Sequence, residues 1–244
     1  MADKIRIGAL ISGGGTNLQA IIDACANRTI DAQILFTGSD KPDAGGLARA
    51  EKAGIETFCV DYRPIIQKAK KSPDLVDIPE DFDLEEIRQK QKLLGPDTPG
   101  DRVKAFLVSR AAAEKELLDR IRPYGIDLLV LAGFMRTLTP YFIDRFNEGS
   151  SAGRIMNIHP ALLPSFPGTD GYGDTFRYGC KIGGCTVHYI DYGEDTGPII
   201  GQKAFEIREE DTLQDVKKKG LALEWQLYPE CIQKFAETVG RRKS

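Results

Sequence analysis

The sequence predicts an α/β fold, in which an open, mostly parallel twisted sheet carries helices on both faces. Two observations support this prediction. In the N-terminal half, short apolar runs alternate with amphipathic helical patterns, the β-α-β order that brings strands together in parallel. Further along, residues 127–132 are almost entirely apolar, which is typical of a strand buried on both faces.

The remaining elements follow from the same patterns. Apolar runs read as strands lie at residues 5–11, 32–36, 57–60, 127–132, 154–158, 185–190 and 198–207. Helical patterns lie between or after them, at residues 17–27, 45–52, 101–122 and 212–239. Asp211 followed by Gln214 resembles a capping arrangement at the start of the last helix. The expected arrangement is Rossmann-like.

Residues 62–104 differ in character from their surroundings. Lys68 to Lys71 is basic, Pro79 to Glu86 is acidic, and prolines punctuate the whole stretch. We interpret it as a charged insertion with one helix, near Leu84 to Leu94. A chain of 244 residues with 41% hydrophobic content builds one sizeable core, so residues 1–244 are expected to form a single domain.

Composition excludes several classes of function. The formal net charge of -3 gives no global attraction to nucleic acid or to an anionic membrane. No apolar stretch approaches the roughly 20 residues that span a bilayer, and the N-terminus carries no secretion signal. The five cysteines include no Cys-x-x-Cys pair, which indicates reduced thiols in the cytoplasm. Cys180 and Cys185 would need further ligands to bind a metal, so no metal is expected.

A glycine loop follows the first strand. Ser12 to Asn17 reads Ser-Gly-Gly-Gly-Thr-Asn and precedes a helix, where backbone N–H groups receive phosphate. The loop lacks the lysine of a P-loop that binds nucleoside triphosphates. It also lacks the full glycine spacing of the dinucleotide-binding fingerprint. A tight turn that binds no ligand is the alternative interpretation.

The candidate catalytic residues lie near the ends of later strands. Asn157 and His159 are two residues apart, so in a strand they point to the same side and together can hold an oxyanion. Asp195, in a loop between two strand-like runs, can reach the imidazole and favour its protonated form. His188 alternates with apolar neighbours and is interpreted as a packed, hydrogen-bonded core histidine.

Four motifs in this order resemble the folate-dependent formyltransferases, in particular the glycinamide ribonucleotide transformylases. They begin at Ile11 (Ile-Ser-Gly-Gly-Gly-Thr-Asn-Leu-Gln), Val130 (Val-Leu-Ala-Gly-Phe-Met-Arg), Asn157 (Asn-Ile-His-Pro) and Asp195 (Asp-Thr-Gly-Pro). The similarity covers residues 4–61 and 105–234. It implies the formyltransferase fold and formyl transfer from 10-formyltetrahydrofolate to the amine of phosphoribosylglycinamide, in purine biosynthesis.

The resemblance also implies a role for each matching position. Asn157, His159 and Asp195 would be catalytic, and small molecules the only partners, with the chain a monomer or homodimer. The substrate would be bound by Gly14, Gly15, Thr16, Asn17 and Glu224. The folate cosubstrate would meet Met135, Arg136, Thr137, Leu138, Asp191 and Asp195. Arg110 would meet the folate glutamate or the bound nucleotide.

Some positions depart from the family pattern. Residues 168–175 replace a basic, histidine-containing segment, Ala161 replaces a common serine, and Trp225 replaces a histidine. The first departure alters a wall near the reaction centre. Transfer to another amine, such as an amino-sugar nucleotide, or hydrolysis of formyltetrahydrofolate therefore remains an alternative, as does a non-catalytic protein that binds a phosphate ligand.

Overall fold

Seven strands form one sheet in the computed structural model, which describes residues 4–150 and 153–243. The strands are β1 (Ile5–Ile11), β2 (Ala32–Ser39), β3 (Glu56–Cys59), β4 (Leu128–Leu131), β5 (Ile155–His159), β6 (Ile182–Tyr189) and β7 (Ile199–Glu206). Their order across the sheet is β3-β2-β1-β4-β5-β6-β7. Strands β1 to β5 pair in parallel, whereas β6 is antiparallel to β5 and β7. The predicted open, mostly parallel sheet is confirmed.

Helices cover both faces of this sheet. They are α1 (Thr16–Ala26), α2 (Gly45–Lys52), α3 (Tyr62–Lys71), α4 (Leu84–Lys90), α5 (Gly100–Ile121), α6 (Pro140–Asn147), α7 (Gly171–Tyr178) and α8 (Leu213–Lys243). Leu128 and Val130 pack into a core with α1 and α8, while Leu129 and Leu131 pack into a second core with α5 and α6. The prediction that this strand is buried on both faces is confirmed. None of the helices in the described residues is long and apolar enough to cross a membrane.

The stretch 62–104 contains more helix than the sequence predicted. Helix α4 ends at Lys90, and α3 is an additional helix over the basic run. Asp61 caps α3 by accepting a hydrogen bond from the Arg63 amide, and Tyr62 and Ala69 are buried on its inner face. The charged residues of α3 lie outside this apolar face, and they obscured the helical pattern in the sequence. Helices α6 and α7, of eight residues each, were not predicted either.

The cap of α8 also differs from the prediction. Thr212 Oγ1 accepts from the Asp215 amide, and Asp215 Oδ2 accepts from the Thr212 amide, which completes a capping box one residue later than expected. Asp211 instead accepts from the Arg208 amide and pairs with Lys219. The carboxylate of Asp211 therefore bonds to these two residues and does not cap the helix.

The loops after β1, β4 and β5 converge at one edge of the sheet. The Ser12 amide donates to Gly133 O at 2.9 Å, and the Met135 amide donates to Ser12 Oγ at 2.8 Å. Below them, the buried Tyr228 hydroxyl lies 3.1 Å from Leu131 O and 2.8 Å from Met156 O, bridging β4 and β5. Ligands of open α/β sheets bind at this carboxyl edge.

Candidate active site

A cavity of about 390 Å³ opens at the carboxyl ends of β4 and β5. Apolar walls and a few converging polar groups are the usual composition of a small-molecule site of this size. The predicted site residues that line it are Asn17, Met135, Arg136, Thr137, Leu138, Asn157, His159, Asp195 and Glu224. The fold thus brings the three candidate catalytic residues into one cavity with parts of both predicted ligand sites.

His159 ends β5 and is almost fully buried. Its Nδ1 lies 3.1 Å from Asp195 Oδ2, and its Nε2 lies 2.8 Å from Phe166 O. Both partners only accept hydrogen bonds, so both bonds form when each ring nitrogen carries a proton. The geometry therefore favours the imidazolium.

Burial alone lowers the pKa of His159, but the hydrogen bond and charge of Asp195 outweigh it, and the net pKa lies above the ordinary value. For Asp195, burial alone raises the pKa, whereas the hydrogen bonds from His159 and from the Gly168 amide lower it well below its usual range. The two shifts agree in describing an imidazolium and carboxylate pair. Asp195 is held there by a left-handed backbone, with φ of 55°.

Asn157 points to the same side of β5 as His159 and is only partly buried. Its Nδ2 lies 3.4 Å from His188 Nε2, the one side-chain contact that the structure records for this amide. Asn157 can therefore donate to a ligand oxygen in the cavity.

His188 is fully buried and hydrogen-bonded, as its alternation with apolar residues indicated. His188 also contacts two of the candidate catalytic residues, Asn157 and Asp195, and sequence reasoning missed this contact. Its Nδ1 donates to Tyr189 O at 2.9 Å, and its Nε2 lies 3.5 Å from Asp195 Oδ1. The antiparallel register pairs His188 directly with Asn157. That register was the missing information, because the sequence alone does not show which strand lies beside β5.

The glycine loop ends in the predicted turn and helix. Gly15 has φ of 70° and stands next to Gly46, where an added Cβ would lie 2.7 Å from the Gly46 Cα. No side chain caps the N-terminus of α1, and Gly13, Gly14 and Thr16 are exposed. The loop therefore leaves amide groups open to an anion.

Asn17 and Glu224 meet at the wall of the cavity beside this loop. Asn17 Nδ2 donates to Glu224 Oε2 at 2.6 Å, and the Tyr172 hydroxyl donates to Oε1 at 2.6 Å. Burial raises the pKa of Glu224, and the two hydrogen bonds oppose that rise. The segment 168–175 contributes Gly168, Thr169 and Tyr172 to the lining, so the departing segment does form a wall of the site.

A buried glutamate holds Thr139, the residue that follows the segment 135–138. Glu114, in α5, accepts from the Thr139 amide at 2.8 Å and from the Thr139 hydroxyl at 2.5 Å. Burial raises the pKa of Glu114 to about 7, despite these bonds. Its position inside a charged helical pattern gave no sign of this role. On the cavity side, Arg136 Nε pairs with the buried Asp40 at 2.6 Å.

Arg110 and Asp191 lie outside the lining of this cavity. Arg110 lines a second cavity of about 270 Å³ between α3 and α5, together with Lys70 and Arg102. The Tyr62 ring contacts one arginine of each cavity, with its centre 5.4 Å from Arg110 Cζ and 5.5 Å from Arg136 Cζ. Asp191 shapes the loop that carries Asp195, since its Oδ1 accepts from the Gly193 amide and the Thr196 hydroxyl.

Within residues 4–150 and 153–243, no group of three or more histidine, cysteine, aspartate or glutamate side chains is arranged to hold a metal ion. The polar groups that line the main cavity are amides, hydroxyls, one imidazole, a guanidinium, an ammonium and carboxylates. Such a set suits stabilisation of a developing negative charge by hydrogen bonds.

Comparison with known proteins agrees with this geometry. The formyl transferase family model matches residues 5–232. A phosphoribosylglycinamide formyltransferase of Bacillus subtilis is 32% identical, covering 94% of each chain, and one of Haemophilus influenzae is 36% identical over 95% of this chain and 87% of its own. The crystal structure of glycinamide ribonucleotide transformylase 1 from Symbiobacterium toebii superposes with a TM-score of 0.73 at 36% identity, covering 98% of this chain and 90% of that one.

These matches span nearly the whole chain, and the residues that the family model matches contain all four motifs on which the resemblance rested. The predicted resemblance and the predicted enzyme class, a one-carbon transferase, are confirmed. The chain belongs to the formyl transferase family.

Proposed function

We propose that this protein transfers the formyl group of 10-formyltetrahydrofolate to the amine of phosphoribosylglycinamide, which yields formylglycinamide ribonucleotide and tetrahydrofolate in purine biosynthesis. Membership of the family and the names of the relatives support this reaction. One structural observation carries it most directly: the Asn157 amide and the His159–Asp195 pair share a cavity with Glu224 and Asn17.

The catalytic roles follow from the hydrogen bonds. Attack of the amine on the formyl carbon places negative charge on the formyl oxygen, where Asn157 Nδ2 and the His159 imidazolium donate to it. Phe166 O accepts a hydrogen bond from His159 Nε2 at 2.8 Å, so the formyl oxygen shares or replaces that carbonyl. Asp195 keeps His159 protonated and, through a water, helps move the amine proton toward the leaving nitrogen.

On the substrate side, the open N-terminus of α1 is proposed to receive the phosphate. Gly14, Gly15 and Thr16 supply amide and hydroxyl donors, which the helix dipole reinforces. Glu224, at the wall beside Asn17, accepts hydrogen bonds from the ribose hydroxyls. The phosphate and the ribose then lie on one side of Asn157, His159 and Asp195.

On the folate side, the lining fits a flat, polar-edged ring. Residues 135–138 and the loop 191–195 are proposed to surround the pterin with backbone amides and apolar side chains. Arg136 lies at this end of the cavity, and Arg110 stands behind Tyr62 with two buried guanidinium nitrogens that lack a hydrogen-bond partner among the described residues. Both arginines are proposed to attract the carboxylates of the folate tail.

The test is an absorbance assay for tetrahydrofolate formation, with and without phosphoribosylglycinamide. Formyl transfer requires that the release of tetrahydrofolate depend on phosphoribosylglycinamide. Release at the same rate without it indicates a hydrolase, and release only with an amino-sugar nucleotide indicates another acceptor. Nucleotide binding without any turnover indicates a non-catalytic binding protein.

A further inference from the structure

A tyrosine from the segment that departs from the family pattern reaches the substrate side of the cavity. Tyr172 is 5% exposed, and its hydroxyl donates to Glu224 Oε1 at 2.6 Å. Asn17 Nδ2 donates to Glu224 Oε2, also at 2.6 Å. The Glu224 carboxylate, in α8, is therefore held at both oxygens, by one donor from α1 and one from α7.

A glycine in α8 makes room for this contact. A Cβ at Gly220 would lie 2.1 Å from Tyr172 Cζ and 2.4 Å from its hydroxyl oxygen. Gly220 precedes Glu224 by four residues, so both lie on one face of the helix. Glycine is unfavourable inside a helix, and the close approach of the ring supplies a reason for it. The Tyr172 ring crosses α8 at this glycine and ends on the carboxylate.

An unsatisfied acceptor lies beside the same carboxylate. Asn17 Oδ1 is buried and has no hydrogen-bond partner among the described residues. A buried acceptor without a partner is unfavourable, and a donor on a bound ligand removes that penalty. Asn17 and Glu224 both line the cavity, so this wall presents acceptor oxygens to a ligand that carries hydroxyl donors.

We propose that Tyr172 is a positioning residue that sets substrate specificity, by holding the Glu224 carboxylate where it accepts hydrogen bonds from the vicinal hydroxyls of the substrate ribose. This inference rests on the proposed function, in which Glu224 meets these hydroxyls. Without the tyrosine hydroxyl, Glu224 keeps one donor and gains freedom to rotate. Binding of the ribose then weakens, while the contacts of Asn157 and His159 are unchanged.

The test is the Tyr172→Phe variant, which keeps the ring over Gly220 and removes only the hydroxyl. We expect KM for phosphoribosylglycinamide to rise about tenfold, the effect of one lost hydrogen bond to a charged group, while kcat and the folate KM stay within about twofold. The preference for this substrate over its 2′-deoxyribose analogue should fall as well. The matched control is Tyr178→Phe, at the exposed end of the same helix, where 80% of the residue is accessible and no change is expected.

Two further variants separate positioning from a structural role. Gly220→Ala should also raise this KM, since the new Cβ displaces the ring although alanine favours the helix. In a Glu224→Gln background, Tyr172→Phe should add less than about twofold, because residues that act as a unit are not additive.

Three results would overturn the inference. They are an unchanged KM in Tyr172→Phe, an undiminished effect in the Glu224→Gln background, and a fall in kcat that accompanies a lower melting temperature. A wild-type protein that forms no tetrahydrofolate with phosphoribosylglycinamide refutes the proposed function, and the inference with it. A wild type that turns over while Tyr172→Phe behaves identically refutes the positioning role alone.

Discussion

Replacing Asp195 by asparagine removes the charge that keeps His159 protonated while preserving the size of the side chain. The two charges lie 3.1 Å apart, with side-chain exposures of 3% and 11%. At an effective dielectric constant of about 20, Coulomb's law gives an attraction of about 5 kcal/mol. That exceeds the roughly 2.7 kcal/mol that corresponds to a hundredfold change in rate.

The sign of the pH dependence follows from the same pair. In the wild type, Asp195 outweighs burial and raises the pKa of His159, so activity persists until the pH rises through that raised value. In Asp195→Asn burial dominates, the pKa of His159 falls, and the proton is lost at lower pH. We expect kcat near neutral pH to fall about a hundredfold, with partial recovery in acid.

The assay is kcat/KM measured across pH for the wild type, for Asp195→Asn and for Glu209→Gln, which removes an exposed acidic charge elsewhere. The alkaline limb should move toward acid in Asp195→Asn only. Superimposable profiles with equal turnover would show that Asp195 does not act through the charge of His159. A lower melting temperature that matched the loss of activity would point to a structural effect instead.

Three other outcomes are expected. Asn157→Ala should lower kcat about a hundredfold in steady-state assays, because it removes an oxyanion donor, and an unchanged kcat would exclude that role. Relative to the wild type, Glu114→Gln should gain about 3 kcal/mol of unfolding free energy between acid and alkaline pH, because the pKa of Glu114 is raised from 4.5 to about 7 and its ionised form is disfavoured in the folded protein. This gain should fade as the pH falls toward the ordinary range of glutamate, and denaturant unfolding at several pH values checks it. Tyr228→Phe should cost about 1–3 kcal/mol of unfolding free energy, since two strand carbonyls lose the single hydroxyl donor that they share, and an unchanged denaturation midpoint would contradict this.

Local patterns predicted the sheet well because each strand carries its own signal. The apolar run at residues 127–132 has one environment on both faces, and no other part of the chain is needed to recognise it. Helix α3 was missed because its lysines outnumber the buried Tyr62 and Ala69. The short helices α6 and α7 pack against α5 and α8, and eight residues each are too few to give a clear helical pattern.

The residues of the candidate site also fall into those that a local pattern predicts and those that it does not. Asn157 and His159 could be paired from sequence, since residues two apart in a strand share a side. The reach of Asp195 depends on a left-handed residue in a loop, and the contact of His188 depends on the register of an antiparallel partner. The contacts of Glu114 with Thr139 and of Tyr172 with Glu224 join distant segments, and no local pattern encodes them. Asp195 was indicated mostly by the family resemblance, and Glu224 by the resemblance alone.

The most direct test of the proposed reaction follows a labelled formyl carbon. Formyltetrahydrofolate that carries ¹³C in its formyl group is incubated with phosphoribosylglycinamide and one protein: the wild type, Asn157→Ala or His159→Ala. The mass of the nucleotide is then measured by mass spectrometry. We expect the label in the nucleotide with the wild type, and transfer at least about a hundredfold slower in both folded variants. An unlabelled nucleotide with the wild type, or full transfer in both variants, would contradict the proposed reaction and its site.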